Sequence, residues 1–345
     1  MVNKGIAVSA SAQKRHDRTM RLHAQAGQRR SLLARLARHV RQLFARSSRQ
    51  ASSEEMIVAS VYGRSLKMPA NHSLPEILLR FPQYNHPLAM SVQAIANVQG
   101  ADSSLTVIDV GANIGDTAAI VEQQLPNVCR YLCIEPDVRL AELCRENHAD
   151  NSRVQVVQSF IGEDEGARVQ LSDNENRANP ATKLVVAGEE SENDAAKLTR
   201  LDTAARTFVE HNGGINLIKV DTEGYDFSVL RSGWEILGKY HPSIFLEWYP
   251  ELLLDLQETP QRGFHELAEL GYVHMVIFTK QGDFYCKISN PDNRFFEALA
   301  SLALTDFERC YFDVFVTCSE ETANALADLY IDRSRLDRAE PLARR

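Results

Sequence analysis

From Met56 onward the chain alternates short apolar runs with amphipathic segments. Ile57–Val61 and Ser65–Met68 predict two short strands, and Ser73–Leu79 and Pro87–Val98 predict helices after them. Beyond the polar break Gly100–Ser104, apolar runs predict strands at Leu105–Val110, Arg130–Glu135, Val154–Gln158, Asn216–Asp221, Ser243–Trp248, Val273–Thr279 and Phe284–Ile288. Helical periodicity between them predicts helices at Thr117–Gln124, Val138–Asn147, Asp226–Leu237 and Gln261–Leu270. Strand and helix in regular alternation imply an α/β domain with a parallel sheet. The polar stretch Ser172–Lys197 reads as an exposed loop or hairpin insertion. Phe295–Leu304 predicts a further helix and Tyr311–Cys318 an edge strand.

Residues 1–50 follow another pattern. Within Arg30–Arg46 the six large apolar residues, Leu32, Leu33, Leu36, Val40, Leu43 and Phe44, fall on one arc of about 120° on a helical wheel, with Arg35, Arg38 and Arg41 opposite. A basic amphipathic helix of this kind suits an anionic membrane surface or a partner groove, a disordered tail whose helix docks on the acidic body of the chain, or a cleaved organellar presequence. Its interleaved arginines leave no apolar core for a secretory signal. The spacing therefore divides the chain into a basic head (1–55), an N-terminal α/β cap (56–104), a central domain (105–290) and a C-terminal extension (291–345).

Charge sharpens this division. The net −8 combines residues 1–50, with twelve Lys and Arg against the single acid Asp17 for a net +11, with residues 51–345 at −19. So acidic a body argues against a fold that grips nucleic acid. The six cysteines contain no Cys-x-x-Cys pair and sit mostly in apolar runs, which points to a reducing, cytoplasmic setting, membrane-associated if the head binds lipid.

The candidate chemistry begins at Leu105–Thr117, where an apolar strand reaches Asp109, turns through Gly111-Ala112-Asn113-Ile114-Gly115, and enters a helix. Glycine permits the tight turn and a close ligand, and the free N–H groups of the helix start favour a carboxylate or phosphate. A dinucleotide loop requires glycine where Asn113 stands, because pyrophosphate needs that space. The second strand ends at Glu135-Pro136, twenty residues past Gly115, where an acid can bind both hydroxyls of a ribose. The pair suits an adenosyl ligand with a zwitterionic tail, S-adenosyl-L-methionine, better than NAD.

Val107–Gly115, Ile134-Glu-Pro136, Leu201-Asp202, Ile218-Lys-Val-Asp-Thr-Glu-Gly-Tyr-Asp226 and Phe245-Leu-Glu247 together resemble the FkbM family of methyltransferases over about residues 105–250. The resemblance implies a class I, Rossmann-like methyltransferase sheet, mostly parallel with one antiparallel strand near its edge. It implies S-adenosylmethionine as donor and O-methylation of a sugar, glycan or similar small natural product. By the same resemblance Asp109, Gly111, Ala112, Asn113 and Gly115 hold the methionine end. Glu135 and Pro136 hold the ribose, and Ser159 and Phe160 lie near the adenine.

In an open α/β sheet the ligand lies beyond the carboxyl ends of the strands. Asp221, Glu223 and Glu247 fall there and are the candidate catalytic carboxylates, with Asp221 and Glu223 as proton acceptors. Structural roles compete for each. Asp221 or Glu247 can neutralise Lys219, which shares a strand face with Asp221, and Glu223 can cap the helix that follows. The same carboxylates can hold Mg²⁺ through oxygen ligands, but no His–Asp spacing supports a metal on its own, and no metal ligand is assigned. Trp248 and Tyr249 are placed to stack on a sugar ring, and Tyr84-Asn85-His86 to cover an acceptor pocket. Two other readings remain open at this point. One is an NAD-dependent sugar oxidoreductase, disfavoured by Asn113 and by the lack of a Tyr-x-x-x-Lys pair. The other is a non-catalytic adaptor using the basic head.

Overall fold

The computed structural model describes residues 55–100, 104–171, 184–186, 196–305 and 310–343, together with five residues between 10 and 17. The amphipathic segment 30–46 lies outside the described residues.

A hairpin of β1 (Met56–Val61) and β2 (Arg64–Pro69) opens the cap, followed by α1 (Leu74–Arg80) and α2 (His86–Gln99). The central sheet then builds from β3 (Leu105–Val110), β4 (Cys129–Ile134) and β5 (Val154–Val157), with α3 (Asp116–Gln124) and α4 (Val138–Asn147) as crossovers. A small sheet holds β6 (Phe160–Ile161), β7 (Arg168–Leu171), β8 (Leu184–Val186) and β9 (Ala196–Thr199). Its β7–β8 pairing is antiparallel, in keeping with a hairpin insertion. Next come α5 (Leu201–His211), β10 (Leu217–Val220), α6 (Asp226–Ser232), α7 (Trp234–Tyr240), β11 (Ser243–Trp248), α8 (Pro250–Asp255) and α9 (Arg262–Glu269). The chain closes with β12 (His274–Thr279), β13 (Phe284–Ser289), α10 (Asn293–Thr305), β14 (Phe312–Thr317) and α11 (Glu320–Ala343).

The main sheet runs β13-β12-β14-β11-β10-β3-β4-β5. Its five strands β5, β4, β3, β10 and β11 are mutually parallel, and β14 runs antiparallel between β11 and β12. This is the class I methyltransferase sheet, with β13 as a further antiparallel strand at the edge. One expectation fails here: Tyr311–Cys318 forms no edge strand. All six residues of β14 are buried, because Phe312, Val314 and Val316 face one layer of helices while Phe315 faces the other. Paired with β11 on one side and β12 on the other, it is an interior strand. The predicted helix Asp226–Leu237 is likewise two helices, broken at Gly233, where a Cβ would crowd the Leu201 side chain.

Strand alternation sorts the core. Ile108, Val110, Ile218, Val220, Leu246 and Trp248 face α5, α6, α7, α9 and α10, while Val107, Leu217, Phe245 and Phe315 face α2, α3 and α11. The cap hairpin has its own core with Ile114, Ala119, Leu140 and Leu143, which fastens it over the start of α3 and onto α4. Gln13 adds a clamp from the N-terminal segment, its amide donating to the Val58 carbonyl at 2.8 Å and accepting from the Val58 N–H at 2.6 Å. All six cysteines are free thiols. Among the described residues no helix is long and apolar enough to cross a membrane.

Candidate active site

Chain order reverses between β3 and β10, and in such sheets the crevice opens at that switch point, beyond the carboxyl ends of the strands. A cleft of about 1140 Å³, measured out to its open mouth, occupies this place. The glycine turn, the end of β4, the Ser159–Ile161 segment, the Asp221–Tyr225 loop and the cap form its walls.

The turn after β3 is held from behind. Gly111 sits at φ +82°, and a Cβ there would strike the backbone carbonyl oxygen of Asp221. Only glycine lets the β3 and β10 loops approach this closely. Gly115, at φ +85°, begins α3, and a Cβ there would crowd His148 and Cys144. Asn113 has φ +51°, a conformation asparagine tolerates better than most residues. Its N–H donates to Glu135 Oε2 at 2.8 Å, and its side-chain oxygen lies 3.1 Å from His72 Nε2. The Leu74 N–H donates to His72 Nδ1, so the imidazole proton sits on Nε2 and is donated to Asn113. Burial lowers the pKa of His72, which keeps the ring neutral for this role. The cap is thus hydrogen-bonded directly to the loop it covers.

Glu135 is 6% exposed and borders the cleft. Its two oxygens are aimed by the N–H groups of Asn113 and Asp137, at 2.8 and 2.9 Å. Each oxygen keeps a lone pair for a ligand hydroxyl. Burial pushes its pKa up to about 7, against the pull of those two hydrogen bonds. Gly111, Asn113, Pro136, Ser159 and Phe160 also line the cleft. Ala112 is buried beneath the turn, and Gly115 lies at the start of α3 with its carbonyl 2.7 Å from His148 Nε2.

Asp109 lies elsewhere. It has no exposed surface and pairs with Lys219 at 3.0 Å. Lys219 Nζ also donates to the Gly111 carbonyl at 3.1 Å and lies 3.5 Å from Asp221. Burial alone would lower the pKa of Lys219, but Asp109 and Asp221 outweigh it and raise the value, so the group stays ammonium. The acid that borders the cleft beside the turn is Asp116, at the start of α3 and bonded to Asn85 Nδ2 at 3.2 Å. Burial pushes its pKa up to about 6, opposed by Lys219. Asp116 went unread in the sequence, although its place in the first turn of a helix beside a glycine loop was a signal for it.

Of the three candidate catalytic carboxylates, Asp221 and Glu223 line the cleft and Glu247 stands next to Asp221. Glu223 has φ +53° in the turn before α6. Asp226 fastens that turn, its carboxylate accepting from the Gly224 N–H at 3.2 Å and lying 3.4 Å from the Thr222 hydroxyl. Glu247 is pushed well above the usual carboxylate range, first by burial and then by Asp221, Asp226, Glu223 and Asp313. Tyr84 and Asn85 reach the cleft from the start of α2. Trp248, expected to stack on a ligand, does not: it is 1% exposed, donates Nε1–H to the Pro260 carbonyl at 2.8 Å, and packs on Phe264, Phe296 and Phe312. Tyr249 packs on Tyr311. Among the described residues no group of three or more His, Cys, Asp or Glu is placed to hold a metal ion.

Comparisons with known proteins bear on this geometry. None of the curated proteins matches the sequence significantly. Solved structures similar to it include the METTL16 MTase domain, at 11% identity over 75% of each chain with a TM-score of 0.40. A human methyltransferase 10 domain containing protein aligns at 12% identity over 84% of this chain and 100% of that one, with a TM-score of 0.38. Aeropyrum pernix fibrillarin with natively bound S-adenosyl-L-methionine aligns at 12% identity over 66% and 76% of the two chains, with a TM-score of 0.35. Residues 109–273 match the family model described as the methyltransferase FkbM domain, a span that runs from Asp109 through the glycine turn, the Lys219–Asp226 block and Glu247. Over this span the chain is similar to the FkbM methyltransferases.

Proposed function

We propose that this protein is an O-methyltransferase that uses S-adenosyl-L-methionine and acts on a hydroxyl of a sugar, glycan or similar small natural product. The observation that carries the reading is one cleft with two kinds of wall. On one side stand the Gly111–Gly115 turn and Glu135, whose oxygens are already aimed by backbone N–H groups. On the other stand Asp221 and Glu223. The donor fits the first wall: Glu135 supplies acceptors for two ribose hydroxyls, Phe160 an apolar surface for a base, and Asp116 a carboxylate for an ammonium.

When bound, S-adenosylmethionine supplies a methyl carbon made electrophilic by its sulfonium. The chain's own task is to bring a hydroxyl oxygen in line with it and to accept the hydroxyl proton. Asp221 is the group for that proton: its side chain is 41% exposed, on the cleft, and oriented by Lys219. As the new C–O bond forms and the C–S bond breaks, the proton passes to the Asp221 carboxylate and the sulfur keeps the bonding pair. A positioned base contributes about 10²–10⁴-fold, and alignment in a shaped cleft can contribute more.

Calorimetry against S-adenosylmethionine and NAD tests the donor, and transfer of a labelled methyl group to a panel of sugars and oligosaccharides tests the reaction. Binding of S-adenosylmethionine that weakens in Glu135→Gln is expected, with turnover falling 10²-fold or more in Asp221→Asn. Failure to bind S-adenosylmethionine, or full turnover by a folded Asp221→Asn, would overturn the assignment.

A further inference from the structure

Strand register places three carboxylates in one row. Glu247 on β11 and Asp313 on β14 are direct partners in an antiparallel ladder. Asp221 follows Val220, whose partner on β11 is Leu246, so one residue on it stands beside Glu247. All three are on the sheet face that carries Lys219, Phe245 and Phe315, beneath the start of α2. Like charges directly opposite on paired strands are destabilising, and buried ones more so.

Little among the described residues offsets this charge. Lys219 is the cation at hand, and its closest partner is Asp109 rather than any member of the row. Asp313 is 9% exposed, yet among the described residues its side chain takes part in no hydrogen bond or ion pair. It shares its sheet face with Glu247, on which its charge acts, and it is acted on by Asp221. The hydroxyls of Tyr84 and Tyr311 lie in the field of all three carboxylates. The described residues are not arranged there to hold a metal ion. An unpartnered buried carboxyl beside a substrate cleft must hold a proton or await a cation.

We infer that Glu247 and Asp313, with Tyr84 and Tyr311, form an acceptor subsite for an ammonium group, so that the methyl acceptor is an amino alcohol of the amino-sugar class. This rests on the function proposed above and names its substrate class. The ammonium is the handle, held by charge-assisted hydrogen bonds across the row. A neighbouring hydroxyl of the same molecule is thereby presented to Asp221 at the cleft.

The test is calorimetry on the full chain saturated with S-adenosylhomocysteine, using matched probes: glucosamine, galactosamine and ethanolamine, each against its N-acetyl derivative. At least one amine is expected to bind tenfold or more tightly than its acetylated partner. That preference should vanish in Asp313→Asn and in Glu247→Gln, with affinity for S-adenosylhomocysteine unchanged. If in every pair the amine binds no better than its partner, absence of binding included, the subsite is refuted. A preference that survives both substitutions refutes it as well. Glu247→Gln, at the less buried position, carries the test should Asp313→Asn fail to fold. Failure to bind S-adenosylhomocysteine overturns the donor reading instead, and the amine comparison is then made on the free protein.

Discussion

Replacing Lys219 with methionine removes one positive charge and little volume from the centre of the molecule. The lysine joins the fully buried Asp109, the Gly111 carbonyl and Asp221, so it ties β3, β10 and the glycine turn together. Without it Asp109 is left as an unpaired buried carboxylate. Breaking a buried pair from one side costs about 3–5 kcal/mol. At about 2–4 °C per kcal/mol in a domain of some 200 residues, that lowers the melting temperature by roughly 10 °C. The glycine turn also loses a fixed point, so affinity for S-adenosylmethionine should fall with stability. The double variant Asp109→Asn/Lys219→Met removes the stranded charge and should recover several degrees. Thermal unfolding by circular dichroism, with calorimetry of donor binding, measures both effects. A drop of under 2 °C in Lys219→Met, or a double variant no more stable than the single, would show that the pair does not hold the turn.

Gly111→Ala must fit a side chain at φ +82° against the Asp221 carbonyl, and should abolish donor binding and lower expression of folded protein; normal calorimetry would refute the close approach. Asp116, Glu135 and Asp313 have native pKa values of about 6, 7 and 8, all raised, so the folded state holds protons that the unfolded chain gives up. Stability from these groups is complete below about pH 4 and is lost as pH rises through 6 to 8, each pKa unit being worth about 1.4 kcal/mol. Melting temperature should therefore fall between pH 5 and 8.5, less steeply in Asp313→Asn, and a rise over that range contradicts the argument. Leu36→Asp with Leu43→Asp breaks the apolar face of the 30–46 segment, and should abolish co-sedimentation with anionic vesicles while methyl transfer to a soluble acceptor persists.

Much of the glycine-turn end of the cleft was legible in one dimension. A strand, a glycine turn and a helix start are local events, so Gly111, Asn113 and Glu135 could be read from spacing, and the structure places them around one cleft. Asp221 and Glu223 were legible for the same reason, as the polar end of an apolar strand. The roles of Asp109 and Trp248 were not. Asp109 owes its place to Lys219, a partner 110 residues away on the adjacent strand. Trp248 was judged by its neighbour Glu247, whereas alternation turns the two to opposite faces of β11, one toward the acids and the other into the aromatic core.

The uneven distribution of charge along the chain, the α/β alternation and the glycine turn follow from the sequence by itself, because each depends on residues within a few positions of one another. Where the acids of the body act depended on tertiary structure. Phe312–Thr317 reads as an isolated apolar run, and only pairing inserts it between β11 and β12, in antiparallel sense, with Asp313 opposite Glu247. Register across strands is a long-range property, set by which faces the helices bury rather than by any local pattern. It is register that converts three scattered carboxylates into one row beside the cleft.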